Sequence, residues 1–434
     1  MLIRALTATL KKFPPIWRRV RIAIDAYYRV SMAPFGRKRP VGQPRESAAL
    51  VAETGKLNTA AEHYFDAFND HEFLVKKPFS DSEWFPRHLF SLGVVFSAIG
   101  LRPRDVVLEF GAGSCWVSHF LNKFGCRTIS VDVSPTALSL GREVFTRDPA
   151  TNWDLKPEFL AYDGHRLPMA DASCDKIVVI DAFHHVPNQR EILTEMARVL
   201  RPNGVVGMSE PGLGHAASDA SKHEVETYGV LENELVIEDL GALAKACGFT
   251  AASVVAVSPE GLWEIPTDQL GGFFKGRDFV KYWTHQCDAL LASHYILLHK
   301  GDPAPSTRRP RALRAHLSRT TTTPVVLQKG TGGRLTIAVE NPSETRWLSA
   351  EGEGWTRLGA HLYRSDPREA VDFDWLRAAL PHDVGPNQSV RIDVPLPAIS
   401  EPGRYEIVFD LVIEGVTWFE PKGSAVLSVP VDVV

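Results

Sequence analysis

The sequence predicts an α/β fold: a Rossmann-like domain with a mostly parallel seven-stranded sheet, followed by an all-β sandwich. Three observations carry this. From Asp105 to about residue 300, strand-like apolar runs alternate with amphipathic helical segments. The first run, Val106–Phe110, passes through Glu109 into Gly111-Ala112-Gly113 and then an amphipathic stretch from Trp116 to Phe124. That is the pattern of a buried strand, a tight turn and a helix start at the carboxyl edge of a sheet. After Pro324 the periodicity changes to two, with Gly, Pro and Asn turns between short runs.

At 434 residues the chain is too long for one ordinary core. A net charge of −4 gives no global argument for a nucleic-acid partner. The five cysteines (Cys115, Cys126, Cys174, Cys247, Cys287) are odd in number and lack a CxxC pair, so they read as reduced thiols of a cytoplasmic protein. No metal site is expected from them. No apolar run approaches the ~18 residues of a membrane span.

Residues 1–45 form a basic amphipathic arm. Ten Lys and Arg residues between Arg4 and Arg39 face a single acid, Asp25, and Leu2, Leu6 and Leu10 make a helical stripe. Such an arm suits the anionic surface of the inner membrane; the plainer alternative is a solvated arm, or a helix packed on the main domain. Residues 46–300 hold the α/β domain. Helices are expected at Thr59–Phe68 and Trp84–Ile99, the latter closed by Gly100. Strands follow at Val106–Phe110, Thr128–Asp132, Glu158–Tyr162, Cys174–Ile180, Gly204–Ser209, Ala251–Val257 and Ser293–His299. Helices fall between them at Trp116–Phe124, Pro135–Thr146, Gln189–Leu200 and Val236–Ala246. Residues 301–324, rich in Pro, Arg and Thr, read as a linker with one short helix at Ala312–Leu317. Residues 325–434 read as a β-sandwich with strands at Arg334–Glu340, Ser389–Val394, Tyr405–Ile413 and Ala425–Val431, and one helical segment at Trp375–Ala379.

The chemistry gathers at the strand ends. Gly111 and Gly113 let backbone N–H groups approach a ligand. A dinucleotide loop wants a third glycine where Trp116 stands. Glu109 would repel a phosphate but favours a cationic sulfonium bearing an amino group. The charge pattern thus points to S-adenosylmethionine rather than NAD. Asp132, 19 residues after Gly113, ends the second strand where an acid accepts ribose hydroxyls. Asp163-Gly164 follows the third strand and suits the adenine. Asp181 opens a pocket-floor loop that carries His184 and His185.

Together Glu109–Cys115, Val131–Ser134, Asp163 with Leu167-Pro168, the segment from Asp175 to His185, and Arg198–Gly204 resemble the class I S-adenosylmethionine-dependent methyltransferases of small-molecule (type 11-like) kind, over roughly residues 80–300. The resemblance implies that Glu109, Gly111 and Gly113 line the methionine moiety, Asp132 the ribose and Asp163 the adenine. One letter departs: the family usually has Gly where this chain has Cys115.

For the acceptor side, the stretch from Ser209 to Glu232 is polar and glycine-rich, which suits a polyhydroxylated substrate. His215 is the expected base, Glu210 orients it or the substrate, and His184 stands at the pocket edge either as a catalytic group or as packing. Glu224 and Glu232 read as a solvated helix face. The Asn/Asp-Pro-Pro-aromatic signature of amino-methylating nucleic-acid enzymes is absent after the fourth strand, where Asp181-Ala-Phe-His stands.

In the β half, Gly354–Tyr363 and Pro402–Phe419, with Asn341-Pro342 and Trp347, resemble the carboxy-terminal glycan-binding domain of O-antigen export ATPases. Trp355 and Phe409 are expected in the core, and one or two of Trp347, Trp375 and Trp418 exposed for stacking on a sugar, with His361, Asp410 or Glu414 on hydroxyls. The expected function is O-methylation of a glycan or sugar precursor in surface-polysaccharide biosynthesis, in the cytoplasm beside the inner membrane, with no nucleic-acid partner. Two alternatives stand beside it: a glycan-binding adaptor with an inactive methyltransferase fold, and a methyltransferase acting on a lipid, quinone or small metabolite.

Overall fold

The computed structural model describes residues 48–68 and 70–434. The basic arm at 1–45 lies outside the described residues. Among these residues no helix is long and apolar enough to cross a membrane.

The α/β half is built on one seven-stranded sheet, β1 (Val106–Phe110), β2 (Arg127–Asp132), β3 (Glu158–Ala161), β4 (Cys174–Ile180), β5 (Leu200–Pro211), β6 (Ala251–Val254) and β7 (Ser293–His299), in the order β3-β2-β1-β4-β5-β7-β6. The first five strands pair in parallel, and β7 runs antiparallel between β5 and β6. Alternation along each strand feeds two cores. Val107, Val178 and Val205 point to one face, against Leu92, Val95 and Ile99 of the helix Trp84–Ile99. Leu108, Phe110, Ile177 and Val179 point to the other, against Ile192, Leu193 and Met196 of the helix Gln189–Val199. Gly100 ends the first of these helices at φ 65°, as its position implied. The strand order reverses between β1 and β4, which opens a crevice at their carboxyl ends. Two helices that the sequence left unassigned, Leu270–Phe273 and Phe279–Ala292, precede β7.

The β half is a sandwich of a three-stranded sheet (β13-β10-β8) and a larger one (β12-β11-β14-β16-β9, with β15 on β14). Its strands are β8 (His316–Arg319), β9 (Val325–Leu327), β10 (Gly333–Glu340), β11 (Thr356–Ser365), β12 (Arg368–Ala379), β13 (Ser389–Leu396), β14 (Gly403–Ile413), β15 (Thr417–Trp418) and β16 (Leu427–Val433). Trp347, Ile337, Phe409 and Phe419 fill the space between the sheets.

Three expectations change here. No helix forms at 312–317: Leu313 and Ala315 are buried and Leu317 half-buried, a spacing of two that belongs to a strand face, and the segment enters the sandwich as β8. The same holds at 375–379, where Leu376 and Ala378 alternate inward at the end of β12. Residues 301–324 are also not a free linker. The Arg102 guanidinium donates to the carbonyl oxygens of Thr307 and Arg308, at 2.9 and 2.6 Å, and buried Lys176 on β4 donates to Glu353 at 3.0 Å.

Candidate active site

The glycine loop folds as its composition requires. Gly111 and Gly113 take φ values of 65° and 50°, and a Cβ on Gly111 would stand 2.5 Å from the Cβ of Ala182. The N–H groups of Gly111 and Ala112 donate to the Val131 carbonyl, tying the loop to the end of β2. Asp132, from the same strand end, accepts the N–H of Gly113 at 2.8 Å on one carboxylate oxygen and that of Ser134 at 2.9 Å on the other. Glu109 is 3 % exposed and accepts the Ser118 N–H at 2.8 Å. Burial pushes its carboxyl up to about 8, against the pull of that hydrogen bond. A cationic ligand would ionise it.

Glu109, Gly111, Gly113, Asp132, Gly164 and Asp181 line one cavity of about 830 Å³. Asp163 does not share that wall. It is exposed, and one carboxylate oxygen caps the turn by accepting the N–H groups of His165 and Arg166, at 2.8 and 2.9 Å. Those bonds hold its carboxyl below the usual range. Its carbonyl accepts from Asn58 Nδ2 at 2.8 Å, and a Cβ on Gly164 would collide with that amide. The helix Thr54–Ala67 thus closes one side of the cavity with Asn58, Tyr64 and Phe65, and Tyr64 meets Tyr228 edge-on at 4.9 Å. The sequence does not mark these as site residues: the aromatic spacing of Tyr64 and Phe65 signals a packed helix and does not say what it packs over.

His184, His185 and His215 enter the same cavity from two different loops. Glu210, expected to orient His215 or the substrate, does neither. Its side chain is fully buried behind the wall. There it accepts backbone N–H groups from Ala182, Phe183 and His184, at 3.2, 2.8 and 3.3 Å, and faces His184 Nδ1 at 2.7 Å. Burial raises its carboxyl to about 7 although those three N–H groups favour the charged form.

The acid beside His215 is Glu232. Its Oε2 lies 2.8 Å from His215 Nε2 and 3.8 Å from His184 Nε2, and its Oε1 is 3.3 Å from His185 Nδ1. Its side chain is 2 % exposed, so the solvated helix face expected for it is corrected: it sits in the loop after the helix Asp219–Tyr228 and turns inward. Burial would raise its carboxyl, but the His215 contact and the other two rings outweigh that and hold it at about 2. The same carboxylate raises His215, against the effect of burial. Burial lowers His184 and His185 to about 4, so both rings are neutral at physiological pH.

In the β half, none of the four tryptophans is exposed. Trp347 is fully buried, and Trp355, Trp375 and Trp418 are half-buried. Trp355, expected in the core, lies instead under the Arg357 guanidinium. Phe409 is in the core as expected. Asp410 is buried and accepts backbone N–H groups from Leu411 and Glu420, and His361 is buried between Phe373 and Trp418, so neither is free for a sugar hydroxyl.

Residues 108–208 match the family model described as "Methyltransferase domain". The chain is 26% identical over 215 residues to methyltransferase GfsG of Streptomyces halstedii, covering 47% of this chain and 75% of that protein. It is 34% identical over 108 residues to the demethylmenaquinone methyltransferase of Mycobacterium sp. (strain JLS), covering 25% of this chain and 42% of that protein. The chain therefore spans three quarters of the first relative but less than half of the second. A solved SAM-dependent methyltransferase from Aquifex aeolicus superposes with a TM-score of 0.36 at 17% identity, over 54% of this chain and 98% of that one. The matched segment runs from β1 into β5 and contains the glycine loop, Asp132 and Asp181. The α/β half carries a methyltransferase domain.

Proposed function

We propose that this chain methylates a hydroxyl oxygen on a sugar-containing acceptor with an apolar carrier, such as a lipid-linked glycan or its precursor, in surface-polysaccharide biosynthesis. The observation that carries the reading is the pairing of His215 with buried Glu232 inside the cavity that Glu109, Gly113 and Asp132 also line. Glu109 and the glycine loop would hold the methionine moiety, and Asp132 the ribose. S-adenosylmethionine supplies an electrophilic methyl group: the carbon–oxygen bond forms as the sulfur–carbon bond breaks, and the electron pair stays on sulfur as a neutral thioether. The acceptor hydroxyl meets the histidine cluster around Glu232, which takes up its proton. Positioning between the loop and the cluster supplies much of the rate.

The β half is read as the part that recognises the polymer. Its resemblance to a glycan-binding sandwich supports this, and its lack of exposed tryptophans means that recognition would use half-buried Trp355 and Trp418 with their arginine partners. A second reading, a small apolar acceptor, is favoured by the aromatic wall of Tyr64, Phe65, Phe73, Trp84 and Trp116.

A tritiated methyl-transfer assay separates them. Label from S-adenosylmethionine should enter lipid-linked glycans extracted from a strain lacking the protein. Label in apolar small molecules alone would replace this reading with the second. Calorimetry that detects no cofactor binding, or binding indifferent to Asp132→Ala, would leave a glycan-binding adaptor.

A further inference from the structure

We propose that His184, His215 and Glu232 form a binding site for a divalent transition-metal cation, with Glu210 as the carboxylate that orients His184. Three features of the cluster point there. Its donor atoms, one from each residue, lie within 4.8 Å of one another. Tetrahedral ligation at about 2.1 Å sets donors about 3.4 Å apart, and the two separations to Glu232 Oε2, 2.8 and 3.8 Å, bracket that value. A cation would draw one pair together and let the other relax.

The second feature is independent of the first. Both carboxylate oxygens of Glu232 are buried and, among the described residues, have no hydrogen-bond partner. The His215 contact is close but lies outside hydrogen-bond geometry. A carboxylate with its side chain 2 % exposed and no hydrogen bond on either oxygen, faced only by the nearby imidazole rings, is costly unless more positive charge fills the gap. Asp181 and Glu224 line the same cavity and place further carboxyl groups around it.

The third is the orientation of His184. Its Nδ1 faces Glu210 Oε2 at 2.7 Å, and Glu210 is itself anchored by three backbone N–H groups. The contact of Nδ1 with the Glu210 carboxyl leaves the ring's other nitrogen, Nε2, on the side of Glu232. This is the carboxylate–histidine support that metal-ligating histidines use. Two imidazoles with one carboxylate favour zinc, cobalt, nickel or ferrous iron over magnesium or calcium.

Three protein ligands leave a position open. Resting on the function proposed above, an acceptor hydroxyl would occupy it, and coordination would release its proton to water at lower pH. With the cation bound, the His184–His215–Glu232 set would serve as ligands, and water, in place of the cluster, would accept the proton.

The test uses full-length protein treated with EDTA and titrated with Co²⁺. One equivalent should bind, with visible absorption bands that Zn²⁺ abolishes. Glu232→Gln and His215→Ala should each weaken binding at least ~10-fold, and Glu210→Gln ~10–100-fold through loss of orientation. His316→Ala, on the exposed edge of the sandwich, should leave binding unchanged. If a variant fails to unfold cooperatively, the unsubstituted protein decides: bound Co²⁺ should shift the proton resonances of two imidazoles. The absence of a saturable one-to-one signal, fewer than two shifted imidazoles, or a signal that survives Glu232→Gln in folded protein overturns the site. Cation binding without methyl transfer to any hydroxyl would keep the site and remove the acceptor reading. Methyl transfer that persists in EDTA, with no cobalt site, would do the reverse.

Discussion

Cys115 and Gly141 are a fitted pair. Cys115 ends the glycine loop at φ 55° with its side chain buried, and Gly141, in the helix Pro135–Arg147, leaves the space that side chain occupies. A Cβ on Gly141 would lie 2.7 Å from Cys115 Cβ and closer still to Sγ. A glycine at 115 would leave this gap empty. Gly141→Ala should therefore destabilise the protein by about 1–2 kcal/mol, because overpacking of about 1–3 kcal/mol outweighs the helix-propensity gain of alanine. In a Cys115→Gly background the same substitution should be neutral or stabilising. Urea unfolding of the double-mutant cycle measures the coupling, and additive effects would show that the two side chains do not compete for space.

Asp132 supports the loop as well as facing the cavity. Removing it loses both the ligand contact and the anchor on Gly113, whereas Asn keeps an acceptor. Asp132→Ala should weaken S-adenosylmethionine binding by about 10–100-fold, the equivalent of about 1.5–3 kcal/mol for bonds to a charged group, and Asp132→Asn by less. Calorimetry reads both. Equal losses would mean that charge, and not loop geometry, sets the affinity.

How much of this was legible depends on how local the signal is. The strand at Val106–Phe110 and the helix at Trp116–Phe124 fall where the periodicity puts them, since each signal lies within one element. Leu313, Ala315 and Leu317 carried the same kind of signal, masked by the Pro, Arg and Thr around them. Glu232 carried none. It lies in a loop, and its role exists only because turns around His184 and His215 converge on it from separate parts of the chain. Glu210 is legible as a polar residue at the end of β5, but its partner His184 lies on the neighbouring loop and not at any fixed spacing from it.

Glu109 makes cofactor affinity depend on pH. Its carboxyl is held at about 8 in the folded protein by burial, above its value of 4.5 in an unfolded chain. A cationic ligand binds the ionised form, so affinity should rise as pH rises from 6 to 7.5, up to tenfold per pH unit. The sign for stability is opposite. The protonated acid's contribution is fully present below 4.5 and is lost as pH rises through about 8. Glu109→Gln should flatten both profiles while lowering affinity at pH 7.5. A Kd that does not change with pH in the unsubstituted protein would place the ionisation elsewhere.

The two halves of the chain are joined through a buried charge. Lys176 lies mid-strand on β4, between Val107 and Val205, with its side chain 1 % exposed. Its ammonium group reaches across to Glu353 in the β half at 3.0 Å. Glu353→Gln leaves that cation buried without its counter-charge, which costs about 3–5 kcal/mol where both partners are buried. Glu353 is 29 % exposed, so water screens part of the loss, and about 2 kcal/mol is expected. Lys176→Met with Glu353→Gln should recover most of it, because an apolar chain of similar volume fits among the surrounding valines. Denaturation followed separately in each half would show the single substitution lowering the stability of the α/β half and uncoupling its transition from that of the sandwich. If Glu353→Gln moves neither transition, the ion pair does not hold the halves together, and that task falls to Arg102 and its two carbonyl partners at Thr307 and Arg308.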